Sequence, residues 1–228
     1  TGCQVNGLKL FLGKKYDNLL TVDVICHGTP SQLLWEKYLK NIEKRHDMKV
    51  NRVNFRCKEK SWRSFSIKMN DKKKKMLRIS KDVDSYMQMF LQNYSLRPSC
   101  YHCGAVKLKM SDMSIADFWG IEKVLPDFDD KKGISLVILR TDTGKKCFEN
   151  IKDKLRYKEV LYEEGVQYNP CEYMSVPKPY MRDQFYKDMN RLTISQLERK
   201  YLYCTWKSRM KHLYKCVVGK SSRGGYKR

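Results

Sequence analysis

Residues 19–26, Leu-Leu-Thr-Val-Asp-Val-Ile-Cys, form a short and nearly continuous apolar run, the pattern of a buried strand. The period then changes: Thr29-Pro30 opens a segment in which Leu34, Tyr38 and Ile42 recur at helical spacing. A strand that gives way through a tight loop to a helix is the α/β unit, and such folds place their sites in the loop after the strand. Here that loop carries Cys26, His27 and Gly28.

The alternation continues downstream. Residues 50–55 read as a strand, and Phe65-x-Ile67-x-Met69 and Leu77-x-Ile79 read as a hairpin around Asn70-Asp71, with the lysines at 72–75 on its solvated tip. A helix is expected near residues 84–94, with Met87, Leu91 and Tyr94 on one side, then strands at 114–118 and 133–141 and a helix at 144–155. Helical, basic material follows Pro177-Lys178-Pro179. The hairpin introduces an antiparallel pair, so the expected fold is α/β, with α+β as its variant. It has a mixed sheet with helices packed on it, cysteine-bearing loops at strand ends and a helical basic C-terminal extension.

Nine cysteines in 228 residues are too dilute, and odd in number, for a disulfide scaffold, which points to a reducing cytoplasm. No run reaches the roughly 18 consecutive apolar residues of a membrane span. The chain starts at Thr1 without Met and reads as the downstream part of something longer. Its formal charge of +22 attracts phosphate and anionic membrane surfaces alike. Yet no zinc-finger, helix-turn-helix or ribonucleoprotein motif accompanies that charge, so nucleic acid is not the expected partner. In the tail, Lys207, Arg209, Lys211, Lys215, Lys220, Arg223, Lys227 and Arg228 are interleaved with Trp206, Leu213, Tyr214 and Val217. Peripheral membrane contact is one reading of such a tail. The other is a terminal extension in which Trp206 and Leu213 pack back and the residues after Gly219 are disordered.

Four cysteines stand in chemically loaded contexts: Cys3 in Thr-Gly-Cys-Gln, Cys26 in Val-Ile-Cys-His-Gly, and Cys100 with Cys103 in Arg-Pro-Ser-Cys-Tyr-His-Cys-Gly. An iron-sulfur cluster needs four thiolates, and a Cys-x-x-Cys pair closed by turn residues supplies two from one loop. The same residues also suit a disulfide, a zinc site or unrelated buried thiols, since only one Cys-x-x-Cys is present. His27 and His102 read as hydrogen-bonding neighbours rather than as ligands or proton donors.

Six segments, in order, resemble the C-terminal region of the coenzyme F420 hydrogenase/dehydrogenase beta-subunit family. They are Thr-Gly-Cys-Gln-Val-x-Gly-Leu, Leu-Leu-Thr-Val-Asp-Val-Ile-Cys-His-Gly-Thr-Pro-Ser, Asn-Phe-Arg-x-Lys-x-x-Ser-Trp, Leu-Arg-Pro-Ser-Cys-Tyr-x-Cys, Ser-Asp-x-Ser-Ile-x-Asp-Phe-Trp-Gly-Ile and Asp-Asp-Lys-Lys-Gly-Ile-Ser-Leu-Val. The likeness runs from Thr1 to the region of Gly144, with echoes at Asn169-Pro170 and Arg182-Asp183-Gln184-Phe185. It implies a family domain over residues 1–190, without the family's N-terminal half, and a basic extension over 191–228.

The resemblance implies an iron-sulfur flavoprotein oxidoreductase, present here as a domain or fragment. Cys3, Cys26, Cys100 and Cys103 would hold a 4Fe-4S cluster, and FAD would be the second cofactor. Electrons would come from a ferredoxin-type donor or a fused ferredoxin domain, pass through the cluster to the flavin, and leave as a hydride to a small organic acceptor. The cysteines at 57, 147, 171, 204 and 216 are expected to be ordinary thiols. The same family motifs point to Asn54, Arg56, Lys58, Trp62, Asp117 and Trp119 as flavin contacts: cations suit pyrophosphate or a reduced flavin, and an indole can wall an isoalloxazine. Trp119 also reads as core, and Asp117 as a hydrogen-bonding residue behind the cysteine loop. The chain departs from the family at Gly2, where Pro is usual, at Cys57 and Ser61, where Asp and Gly are usual, and at Ala116, where Gly is common. The alternative function is a non-catalytic zinc- or nucleic-acid-binding module using some of these thiols. The cluster reading requires the four sulfurs to converge. The flavin reading requires Arg56, Trp62 and Trp119 to border a cleft beside them.

Overall fold

The strands form where alternation and apolar runs place them, but they sort into two three-stranded sheets. The structure, a computed structural model, describes residues 1–59, 61–202, 210, 213 and 214. In chain order the elements are α1 (Gly2–Leu12), β1 (Val22–Val24), α2 (Gln32–His46), β2 (Val50–Cys57), β3 (Ser66–Asp71), β4 (Met76–Ser80), α3 (Ser85–Leu91), α4 (Gly104–Lys107), β5 (Met113–Asp117), α5 (Ile121–Val124), β6 (Ser135–Leu139), α6 (Asp142–Glu149), α7 (Tyr162–Val166), α8 (Arg182–Arg191) and α9 (Ile194–Leu197). Two compact units result. The first comprises Thr1–Gly28 and Pro98–Val176, the second Thr29–Arg97 and Pro177–Arg228.

The first unit holds the mixed sheet, in the order β1-β5-β6. β1 runs parallel to β5, with Val24 opposite Ile115, and β6 runs antiparallel to β5, with Ile115 opposite Val137. The antiparallel pair of the mixed sheet is therefore β5–β6, while the hairpin joins β2 in a sheet of its own. The run at 19–26 also differs from a strand buried on both faces. Only 22–24 pair as a strand, Asp23 points inward and is buried, and Val22 and Val24 are 43% and 44% exposed. The reason is local: the Ser114 hydroxyl donates to Asp23, so the inward position is held by a polar contact rather than by apolar burial.

In the second unit the antiparallel sheet β2-β3-β4 lends Ile67 and Met69 to one continuous core. Leu34, Tyr38 and Ile42 of α2 meet them there, as the helical spacing predicts, together with Tyr86, Met87 and Met89 of α3. The helix starts slightly later than Thr29-Pro30 suggests. Ser31 is its N-cap, accepting from Leu34 N at 3.4 Å, and Lys44, Arg45 and His46 in its last turn complement the helix dipole. Phe185 and Met189 of α8, Ile194 and Leu197 of α9, and Tyr201 and Leu202 complete the core, so the start of the expected extension is packed. Beyond it, Leu213 is 56% exposed instead of packing back, and Trp206 and the residues after Gly219 lie outside the described residues.

Candidate metal centre

All four motif cysteines fall in the first unit, delivered by three separate pieces of chain. Cys3 occupies the first turn of α1, an element the sequence pattern does not announce. Cys26 follows β1, where Ile25 N still donates to Ile115 O at 3.0 Å and prolongs the parallel ladder. Cys100 lies in the 3-10 turn Pro98–His102, and Cys103 is the N-cap residue of α4. Only Cys26 therefore sits in a plain loop of the kind the motifs suggest. Cys3 is exposed, the other three are half-buried, and the described cysteines are thiols rather than disulfides.

Two glycines set these approaches. A Cβ on Gly2 would lie 2.9 Å from Asp23 Oδ2 and 3.0 Å from Ala105 Cβ, so α1 begins against β1 and α4 at a distance suited to glycine. Asn6 fixes the same contact, its Nδ2 donating to Leu108 O at 2.8 Å. A side chain here would force these neighbours to give way. Gly28 has φ 148°, a backbone angle that other residues rarely adopt, and its N–H donates to the Cys26 sulfur.

The electrostatics at Cys26 report which sulfurs are close. Burial pushes its thiol above the ordinary range, the Gly28 amide opposes this, and the Cys100 and Cys3 sulfurs push it further up. Cys26 thus lies within electrostatic reach of a sulfur from each of the other two chain segments. Cys103 joins through its neighbours: its N–H donates to Ser175 Oγ at 2.9 Å, which fixes the turn that also carries Cys100. A fifth thiol accompanies them. Cys171, in the 3-10 turn Pro170–Glu172, is raised by burial and then by Cys26 and Cys103. Sequence reasoning treats Cys171 as an ordinary thiol; the one available signal is the Asn169-Pro170 echo beside it. Among the described residues, no three His, Cys, Asp or Glu side chains are arranged to hold a single metal ion.

A buried polar network ties the sheet to these turns. Ser114 Oγ donates to Asp23 and accepts from Arg140 Nε at 2.8 Å, and Arg140 NH2 reaches Glu172 Oε1 at 2.7 Å. Glu172 is 2% exposed and also takes Lys109 Nζ at 3.1 Å and Tyr162 Oη at 3.1 Å. At the other end of the strands, Asp112 accepts from Thr21 N (2.8 Å), Thr21 Oγ1 (2.5 Å), Thr141 Oγ1 (2.7 Å) and Lys9 Nζ (3.3 Å). Burial alone would raise its pKa, but these donors win and hold it down to about 2.

The six residues expected to contact flavin divide between the units. In the second unit, Asn54 and Arg56 lie on β2, where Asn54 Oδ1 accepts from Arg56 N at 2.9 Å and the Arg56 guanidinium stacks over Phe65 at 4.9 Å. Lys58 is exposed just beyond. Trp62 is 1% exposed with Arg63 over its ring at 4.7 Å, so its indole presents no open face as it stands. In the first unit, Asp117 ends β5 and its carbonyl accepts from Asn169 Nδ2 at 3.1 Å. Trp119 is half-buried in the turn that follows. That turn depends on Gly120, whose φ is 83° and where a Cβ would come within 2.0 Å of the Tyr168 ring.

The first unit thus carries the four motif cysteines on three chain segments around its mixed sheet. The chain belongs to the family defined by the C terminus of the coenzyme F420 hydrogenase/dehydrogenase beta subunit, and the family model matches residues 1–164. It therefore stands among the subunits of oxidoreductases. The match includes Cys3, Cys26, Cys100 and Cys103 and ends before Cys171. No curated protein matches the chain. Among the described residues no helix is long and apolar enough to cross a membrane.

Proposed function

We propose that the chain is the iron-sulfur domain of a flavoprotein oxidoreductase, with Cys3, Cys26, Cys100 and Cys103 as the ligands of one 4Fe-4S cluster. The observation that carries the reading is that one compact unit holds all four motif cysteines on three separate chain segments: the first turn of α1, the loop after β1, and the Pro98–His102 turn with the cap of α4. Thiolates collected in this way repel one another until cations sit among them, and family membership supplies the redox context.

When bound, the cluster exchanges single electrons with a ferredoxin-type donor and FAD exchanges a hydride with an organic acceptor. The protein's own groups prepare that site. The Gly28 N–H stabilises the Cys26 thiolate, Ser175 fixes the Cys103 backbone, and Glu172 with Arg140 and Lys109 anchors the turn beside them. The assignment of Asn54, Arg56, Lys58, Trp62, Asp117 and Trp119 to flavin rests on the family motifs alone, in a chain working in a reducing cytoplasm. The test is anaerobic purification with iron, acid-labile sulfide and zinc analysis. A brown protein with about four irons and four sulfides per chain is expected; a colourless protein with one zinc overturns the reading.

A further inference from the structure

The excess positive charge is confined to one unit. Residues 1–28 and 98–176 contain 15 Lys and Arg against 15 Asp and Glu, a net charge of zero. Residues 29–97 and 177–228 contain 32 against 10, which is the whole +22 of the chain. The unit that gathers the cysteines is electrically neutral, so the charge does not serve to draw anions to the thiols.

Within the second unit the acidic residues are largely committed to internal contacts. Glu43 accepts from Val50 N, Asp71 closes the β3–β4 turn onto Lys75 N, Asp84 caps α3, Asp188 takes Lys200 and Tyr201, and Glu198 takes Ser85. The cations are arranged differently. Across the sheet, Asn54, Lys68 and Arg78 stand directly opposite one another on the three strands, and Arg52 opens the next row opposite Asn70. Like charges at paired positions such as Lys68 and Arg78 destabilise a sheet. Glu59 bridges both. The same strands end in the exposed tip Lys72, Lys73 and Lys74, held out by the Asp71–Lys75 turn.

We propose that the outer face of this antiparallel sheet, with its lysine tip, is the docking surface for an acidic electron-carrying protein of the ferredoxin type. The redox function proposed above calls for an electron-carrying partner, and a net-positive face draws and orients a negatively charged protein before contact. Among the described residues the paired positions of this face are Lys68, Arg78, Arg52, Asn54 and Asn70 rather than the stacked aromatic rows of a nucleic-acid reader. The proposal takes the partner's redox role from the function proposed above, but its test reads binding alone.

The test is calorimetry of the full chain, purified anaerobically, with an acidic ferredoxin at salt from about 0.05 to 0.3 M, spanning the range over which charge steering is screened. The expected affinity falls at least about tenfold over that range, and K72E/K73E lowers it about tenfold at low salt, because surface charges act mainly through such screened attraction. K145E/K146E, the same charge change placed on α6 of the neutral unit, leaves it unchanged. No binding, equal losses in both variants, or tighter binding to a duplex oligonucleotide or to phosphatidylglycerol vesicles at physiological salt would overturn the proposal. Iron and sulfide analysis of the same sample reports separately on the cluster.

Discussion

Asp112 offers a quantitative test of how the first unit holds its shape. The residue is 5% exposed, and its carboxylate takes four donors and is held at about 2 against an ordinary 3.8. A difference of that size, at 1.36 kcal/mol per unit, makes ionised Asp112 worth about 2 kcal/mol to the folded state. Because the folded pKa lies below the unfolded one, protons favour the unfolded chain. The contribution is complete above about pH 4 and is lost as the pH falls towards about 2. Asp112→Asn removes the charge and also turns an NH2 towards donors that already point inward, at a further cost of about 1–3 kcal/mol. Urea unfolding of both proteins at pH 7, 4 and 2.5 should show the variant less stable by about 3–5 kcal/mol at neutral pH, with the gap narrowing by about 2 kcal/mol at the acid end. A gap that stays constant with pH, or one under about 1 kcal/mol at pH 7, would refute the assignment of the low pKa to this network.

Substituting Cys3, Cys26, Cys100 or Cys103 singly by Ser should lower iron and sulfide content and bleach the visible absorbance, whereas Cys147→Ser should leave the spectrum intact. Cys171→Ser should keep a full complement of iron but alter the electron paramagnetic resonance line shape of the reduced cluster, since a fifth sulfur stands by Cys26 and Cys103; an unchanged line shape would show that Cys171 does not reach the cluster. Gly120→Ala introduces a Cβ 2.0 Å from Tyr168 at a left-handed backbone angle, and should lower the unfolding midpoint by more than the ~1 kcal/mol equivalent of an ordinary glycine-to-alanine change. Asp84 is the opposite case to Asp112: burial raises its carboxyl to about 6 despite the Tyr38 hydroxyl and the Met87 amide. Its folded pKa exceeds the unfolded one, so stability should fall as pH rises from about 4 through about 6, and a pH titration of Asp84→Asn should lack that decline.

Legibility in the sequence follows the range of the interaction. Helix α2 and the β3–β4 hairpin can be read because their signals are local: Leu34, Tyr38 and Ile42 keep a helical period, and Ile67, Met69, Leu77 and Ile79 alternate around a turn. The strand at 19–26 reads too long because apolar residues there face both ways and its inward position is the polar Asp23. α1 escapes the pattern since its exposed Leu8, Leu10 and Phe11 do not mark one buried face. The four motif cysteines are legible only through resemblance, as nothing in their spacing joins residues 3, 26 and 100. Cys171 is legible only through the Asn169-Pro170 echo beside it, and the partners of Asp112 and Glu172 are not legible at all. The hydrogen-bond partners of Asp112 and Glu172 include groups 29 to 103 residues away, which meet them only in the folded unit.

The first unit is interrupted in sequence, and the interruption governs how the chain can be made. β1 can pair only when β5 exists, and Val22 and its partner Met113 are separated by most of the second unit. At roughly 5–20 residues per second, synthesis of the intervening chain takes on the order of 5 to 20 s. Throughout that interval Cys3 and Cys26 are in hand while Cys100 and Cys103 have yet to be made, and no parallel ladder or Glu172 anchor shields them. Half-built thiol sets are open to oxidation and to adventitious metals. A cluster of the kind proposed would therefore be loaded only after synthesis of this region.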